Sequence, residues 1–447
     1  MRHASFLLAA CWLATAALAA AAPAPFPYVT AKAFHIPPET TTEESGYFSL
    51  CEGRNGKIYI GTAAYGRNAY LVEFDPATEK MRIVLDAHKL VGLPLTPTGY
   101  AAQSKLHTRN FVGPSGKIYV GTKQGYPTAA ENAALKRGES IPVYRGGYVL
   151  VYDPATDTAE NLGMPMPLEE KAKGAKEGEG VIDVTADEAR GLVYVITCEE
   201  QHWFLYNMKS KRFRELGPIL RDQPNTIIDA QGRGTAITAD FRIARYNPKT
   251  DTVSVDALLV KGQPFGDYIG ARRVHPDWRI TPDGKTAYVQ LLNDLRMFRV
   301  DLTGAAGKPV IATDLGNRIE GLHPDSRGSI SIGPDGRVYS AVRVDNKTGF
   351  GGGYLHHLIQ HDPRKRTMND LGVFAVTNPD FFDFKGPLVK NPDGSGRPRH
   401  GYHTLPDGTL TPLHVIMGLI VAQNGTIYAT SIYPYSLLKV ESVKAVK

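Results

Sequence analysis

The chain has 447 residues, a net charge of +6, 45 glycines and 31 prolines, but only three cysteines. Three cysteines exclude a disulfide framework, and the glycine and proline content demands many turns. The mild positive charge suits an acidic ligand; the basic strings Lys209-Ser210-Lys211-Arg212 and Arg364-Lys365-Arg366 are too short for a nucleic-acid binder.

Arg2 and His3 give a polar start, Ala4 to Ala22 is almost wholly apolar, and Ala17 and Ala19 flank Leu18 as an Ala-x-Ala cleavage site. Residues 1–22 are expected to be a signal peptide, leaving 23–447 as a single secreted or periplasmic domain, monomeric and without membrane insertion. Leu8-Ala9-Ala10-Cys11 resembles an acylation site, but apolar residues continue beyond it. Cleavage leaves Cys51 and Cys198, whose bridging would join distant repeats.

Two marks then alternate along the chain. The first is a tight turn ending in glycine: Gly56, Gly116, Gly191, Gly232, Gly284, Gly336 and Gly425. Glycine supplies the positive φ that such hairpins need. The runs that follow are β-rich, as in Lys57-Ile58-Tyr59-Ile60 and Thr426-Ile427-Tyr428-Ala429. The second mark is a hydrophobic strand ending in Asp-Pro-x-Thr or a decayed form, at Asp75, Asp153, Asn207, Asn247, Asp301, Asp362 and Glu441. Asp or Asn before Pro opens a turn. Seven alternations of this kind predict an all-β, seven-bladed β-propeller, each blade a four-stranded meander. A β-solenoid would have shorter and more regular coils. The last blade runs out after three strands, and Tyr28–Ile36 has no blade of its own. That N-terminal strand is expected to complete the last blade and close the ring.

The interval from turn glycine to Asp-type mark is 37 residues in the second repeat and 26 in the sixth, against 15 to 19 elsewhere. Insertions therefore fall at 123–147 and 343–354, with long connections at 163–180 and 377–413. These segments are expected to wall a cleft at one rim. The second repeat begins Ser104-Lys105-Leu106-His107-Thr108-Arg109-Asn110-Phe111, and period-2 alternation puts His107 and Arg109 on one face. The next strand leads to Lys123, Gln124 and Tyr126. His202, Arg242, Arg272, Arg273 and Arg279 add polar groups from later repeats, with Asp240 a partner for the cations. Filler roles are the plain alternative, but several cations near one axis need partners if buried. His400, His403 and His414 have the His-x-x-His-plus-one spacing of a metal site, or of an ordinary surface loop. His356, His357 and His361 alternate between faces and read as structural.

The strings His107-Thr108-Arg109-Asn110-Phe111, Gly121-Thr122-Lys123-Gln124-Gly125-Tyr126-Pro127, Gly146-Gly147-Tyr148-Val149 and His400-Gly401-Tyr402-His403 resemble secreted seven-bladed propellers related to ulvan lyases. The resemblance implies β-elimination on a uronic-acid glycan of the rhamnose–glucuronate type, with an acidic polysaccharide or oligosaccharide as partner. It implies His107 as base or acid and Tyr126 as its counterpart. Arg109, Arg242 or Lys123 would neutralise the carboxylate, and Gln124, His202 and Arg279 would bind substrate. A structural zinc or calcium ion at His400, His403 and His414 is the cofactor it suggests; no organic cofactor is expected. Ulvan lyases carry a second catalytic histidine near the position of Lys123–Pro127, where this chain has none, so Tyr126 or His202 would take its place. A rhamnosidase-like hydrolase and a non-catalytic glycan-binding propeller are the competing readings.

Overall fold

The computed structural model describes residues 23–94, 99–171, 173–222, 225–270, 275–386 and 401–443. Residues 1–22, the expected signal peptide, lie outside them with Cys11, as do Arg272, Arg273 and His400. Among the described residues, no helix is long and apolar enough to cross a membrane.

The described residues are mostly β-strand, with short α-helices at Ala87–Val91, Ala129–Lys136 and Phe265–Ile269 and a few 3-10 turns. It repeats a four-stranded antiparallel meander. The first comprises Glu44–Glu52, Ile58–Ala63, Tyr70–Asp75 and Lys80–Asp86. The second comprises Phe111–Val112, Ile118–Lys123, Val149–Asp153 and Thr158–Gly163. Further meanders run over 180–219, 227–256, 276–317 and 330–376. The last pairs Ile416–Val421, Ile427–Ser431 and Ser436–Val443. Its outermost strand is the N-terminal Tyr28–His35, with Phe34 opposite Leu437, and the start of that strand also pairs in parallel with Val373–Val376 of the preceding meander.

The turn glycines have φ between 66° and 91° at all seven marks, the left-handed region that penalises any Cβ. At the second mark the carboxylate or amide oxygen caps the turn: Asp75 accepts from Ala77 N at 2.9 Å and Asp153 from Ala155 N at 3.0 Å. These Asx turns use the side chain to satisfy backbone that the hairpin leaves unpaired.

The hydrophobic core is divided into wedges, each between neighbouring meanders. One joins Ile58, Ile60 and Phe74 to Met417, Tyr428 and Leu437; another joins Tyr119, Val149 and Val151 to Val181, Val193 and Phe204. Sheets sandwiched in this way are apolar on both faces in their inner strands, and Gly180–Asp187 and Leu192–Cys198 are buried throughout. Outer strands such as Lys80–Asp86 are largely exposed. First strands pack beside first strands between most neighbouring meanders, and that of the first also packs against that of the last; where the third meets the fourth, Thr185 Oγ1 donates to the Thr226 carbonyl at 2.8 Å. They thus enclose a central channel. Lys105–Leu106 bridges two meanders, pairing with Ala63 on one side and with Lys123 and Thr122 on the other.

Candidate functional site

One end of the channel is set by a large irregularity in Glu44–Glu52. Ser45 pairs with Thr62 and Leu50 with Ile60, so the intervening residues bulge out of the ladder. Gly46 permits this: a Cβ there would meet the Leu106 carbonyl oxygen at 2.1 Å. Tyr47 follows with φ 61°, a strained value for a tyrosine. The bulge carries Tyr47 and Phe48 inward. Tyr47 lies over the His107 ring at 4.6 Å between centroids, and Phe48 meets it edge-on at 5.8 Å. The Arg109 guanidinium lies 4.8 Å from the Phe48 centroid, so His107 and Arg109 both touch that ring, although residues 107–110 lie between the strands Lys105–Leu106 and Phe111–Val112 instead of continuing one strand.

His107 is 6% exposed, and its Nδ1 is buried without a hydrogen-bond partner. Burial, then the charges of Lys123, Lys105 and Arg109, holds its pKa well below the usual imidazole range. It is a neutral, weakly basic ring beneath Tyr47.

Lys105, unremarked in the sequence reading, is the more informative group. It is buried, and its Nζ lies 4.9, 4.5 and 5.4 Å from the ring centroids of Tyr47, Tyr65 and Tyr126. Three aromatic faces suit an ammonium. Burial nevertheless lowers its pKa to about 8; Glu44 opposes the shift and Lys123 adds to it. Lys105 and Lys123 stand directly opposite each other on the antiparallel ladder. Lys123 is held differently: burial would lower its pKa, but Cys198 and Glu199, whose Oε1 is 2.8 Å from its Nζ, raise it. The same Nζ is 2.8 Å from Cys198 Sγ. Burial pushes that thiol up to about 12, so the thiol is neutral at ordinary pH. Cys51 and Cys198 are both free.

Tyr126 is 62% exposed and packs edge-on to Tyr65 at 5.1 Å, forming the outer lip of the cage. Gln124 is buried, with its Oε1 unpartnered. The insertion beyond them folds into the helix Ala129–Lys136 through a capping box that the sequence reading did not use. Thr128 Oγ1 accepts from Glu131 N at 3.2 Å, and Glu131 accepts from Thr128 N at 2.8 Å and Tyr100 N at 2.9 Å.

The remaining expected site residues are dispersed. His202 is clamped by Glu215 at 2.7 Å, on the outermost strand of its meander, and by Glu200 at 3.1 Å. Burial works against its charge, but the two carboxylates raise its pKa. Arg242 is exposed and pairs with Asp240 at 2.6 Å. Arg279 lies 2.8 Å from Asp277 Oδ1, and the same oxygen accepts from Arg109. These two arginines belong to the other end of the channel, near the hairpin turns Pro114 and Pro282.

Among the described residues, no group of three or more His, Cys, Asp or Glu could hold a metal ion. His403 is half-buried beside Gly353, with Nε2 unpartnered. His414 stacks on Tyr433 at 5.2 Å. His356, His357 and His361 have separate partners in the Pro412 carbonyl, Asp370 and the Thr367 carbonyl, as a structural role requires.

No family model and no curated protein match the chain. Solved structures similar to it include the β-propeller domain of Cps50 (Swd1) from Myceliophteria thermophila, with TM-score 0.49 and 9% identity, covering 89% of this chain and 98% of that one. A fungal alcohol oxidase of the AA5 family in complex with copper gives 0.48 and 10%, covering 94% and 76%. The periplasmic gluconolactonase of Pseudomonas aeruginosa gives 0.44 and 13%, covering 88% and 94%. These likenesses are of propeller architecture and carry no chemistry with them.

Proposed function

We propose that the repeated meanders are the blades of a seven-bladed β-propeller closed by Tyr28–His35, and that the chain is an exported lyase cleaving a uronate-containing glycan by β-elimination. The observation that carries this reading is the cage of Tyr47, Tyr65 and Tyr126 around Lys105, with the charged Lys123 opposite it on the ladder.

The proton on a uronate C5 is poorly acidic, so elimination needs the carboxylate neutralised and its developing aci form stabilised. It also needs a base poised near ambient pH and an acid for the departing C4 oxygen. Lys123, kept charged by Glu199, neutralises the carboxylate. Lys105, at about 8, is the better-matched base: its free amine takes the C5 proton, the C5 electrons form the C4–C5 double bond, and the C4–O bond breaks. The Tyr126 hydroxyl, at the exposed lip, protonates the leaving oxygen. His107, as buried as Lys105 but with its pKa held well below the usual imidazole range by burial and the neighbouring cations, stacks on Tyr47 and positions that ring. A structural metal at His400, His403 and His414 remains part of the proposal and takes no part in the chemistry.

The purified chain should release products with the ultraviolet absorbance of the conjugated double bond from ulvan or another uronate polysaccharide. Lys105→Met should lower the rate by roughly 10²–10⁴-fold. A folded chain that yields no such absorbance across a panel of uronate glycans overturns the lyase reading. Products heavier by one water and without the absorbance would indicate a hydrolase. The exposed Tyr126 ring, a platform on which a sugar can stack, favours glycan binding without turnover as the second reading.

A further inference from the structure

The opposite end of the channel holds a cavity of 610 Å³ whose lining includes Arg54, Arg109, Asp183, Asn225 and Arg279. It opens among the hairpin turns at Pro114 and Pro282, and none of Lys105, Tyr47, Tyr65 and Tyr126 lines it.

Its polar groups are arranged but incompletely used. Arg109 donates to Asn225 Oδ1 at 3.1 Å and to Asp277 Oδ1, leaving its Nε buried and unpartnered. Asp183 is 2% exposed; its Oδ2 accepts from Thr226 N at 3.2 Å and Thr185 Oγ1 at 3.4 Å, while its Oδ1 has no hydrogen-bond partner and lies 4.0 Å from Arg109. Arg279 reaches Asp277 and the Trp278 carbonyl through one nitrogen, Nη1, and its side chain is 21% exposed. Unsatisfied buried polar atoms are costly, and a cavity that gathers several is suited to a ligand that completes them. Arg54, Arg109 and Arg279 face two carboxyls, Asp183 in the lining and Asp277 shared by Arg109 and Arg279; the remaining excess of cation favours an anion, and bidentate pairing favours a carboxylate. Asp183 and Asn225 suit hydroxyls. Asp183 is pushed up to about 7 by burial, so it can donate as well as accept.

We propose that this cavity is a second binding site, distinct from the Lys105 cage, for a small hydroxylated carboxylate such as a single sugar acid. Arg279 and Arg54 hold the carboxylate, and Asp183 and Asn225 hold hydroxyls.

The site has a built-in reporter. Trp203 Nε1 donates to Thr226 Oγ1 at 3.1 Å, and Trp278 Nε1 donates to the Asn225 carbonyl at 2.7 Å. These are the two tryptophans of residues 23–447, and both touch the segment lining this cavity. The Lys105 cage contributes tyrosines only. Tryptophan fluorescence of the purified chain, titrated with D-glucuronate, should change saturably. Glucose, which lacks the carboxylate, and acetate, which lacks the hydroxyls, should each require about tenfold higher concentration, the loss of one good polar interaction. Arg279→Gln and, independently, the isosteric Asp183→Asn should weaken glucuronate about tenfold with unchanged circular dichroism, and Lys105→Met should leave the titration unaltered. No saturable change in the folded chain overturns the proposal. So does glucuronate affinity untouched by both variants, or an equal response to calcium chloride alone. The readout needs no turnover, so failure of the lyase reading and failure of this site are separately visible.

Discussion

Lys105 and Lys123 occupy equivalent places on one ladder and have opposite electrostatics. Lys123 has Glu199 at 2.8 Å; Lys105 has three phenol rings and a lysine neighbour. Folding depresses the Lys105 pKa from the ordinary lysine range to about 8. A depressed lysine disfavours the folded state wherever the unfolded chain would be protonated. Its cost is absent above about pH 10.4, grows as pH falls, and is complete below about 8. Lys105→Met should therefore raise stability at pH 7, by up to about 3 kcal/mol, while abolishing elimination. Urea unfolding alongside rate measurements checks both, and a destabilised variant would contradict the assignment. Wild-type elimination should rise with pH through about 8 as the amine is freed. The signal for Lys105 was present in the sequence, since the alternation that places His107 and Arg109 on one face places Lys105 there too. What alternation does not convey is which of three same-face groups will be caged, sealed or ion-paired. Those fates depend on Tyr47, Tyr65 and Asp277, which come from other meanders.

Among the elements, the bulged first strand matters most to the site. Gly46 has the Leu106 carbonyl and the Gly61 carbonyl where a Cβ would stand, at 2.1 and 2.8 Å. Both are backbone atoms that cannot move aside. Gly46→Ala should displace Tyr47 from Lys105 and His107 and cost several kcal/mol; thermal unfolding and the fluorescence of the tyrosine cage check it. The N-terminal strand is a second decisive element. Tyr28–His35 buries Val29, Ala31 and Ala33 completely and supplies the outer edge of the last meander. Removing residues 23–36 exposes that edge and the wedge beneath it. Thermal unfolding should then fall by roughly 5 °C or more, with a tendency to aggregate. This strand was legible because the last repeat is one strand short. The helix Ala129–Lys136 was less so. Its capping box is local, but its glutamate also caps the Tyr100 amide, a contact the one-dimensional spacing does not contain.

At the scale of the whole molecule, the central channel gathers buried charge that the wedges of core must support. Asp183 is the clearest case. Burial raises its folded pKa to about 7, against about 3.9 unfolded. Protonation therefore favours the folded chain. The contribution is complete below about pH 4 and is lost as pH rises to about 7, an amount of up to about 4 kcal/mol. Asp183→Asn should flatten stability between pH 4 and 7 and raise it at pH 8, in denaturant melts taken across that range. A slope as steep as that of the parent chain would show that another group is responsible.

The sequence by itself determined the repeat. Turn glycines, Asx turns and alternating strands are each specified within a few residues, where chain geometry acts without help from distant segments. It also determined that the two ends of the chain would share a sheet, because a strand count is additive. Only the tertiary structure decided how the polar residues divide between the two ends of the channel. Lys105 and Lys123 went to one mouth, Arg109 and Arg279 to the other, and His202 and Arg242 to neither. Burial, and the charge that answers each buried charge, come from neighbouring meanders, and spacing along one strand does not encode them.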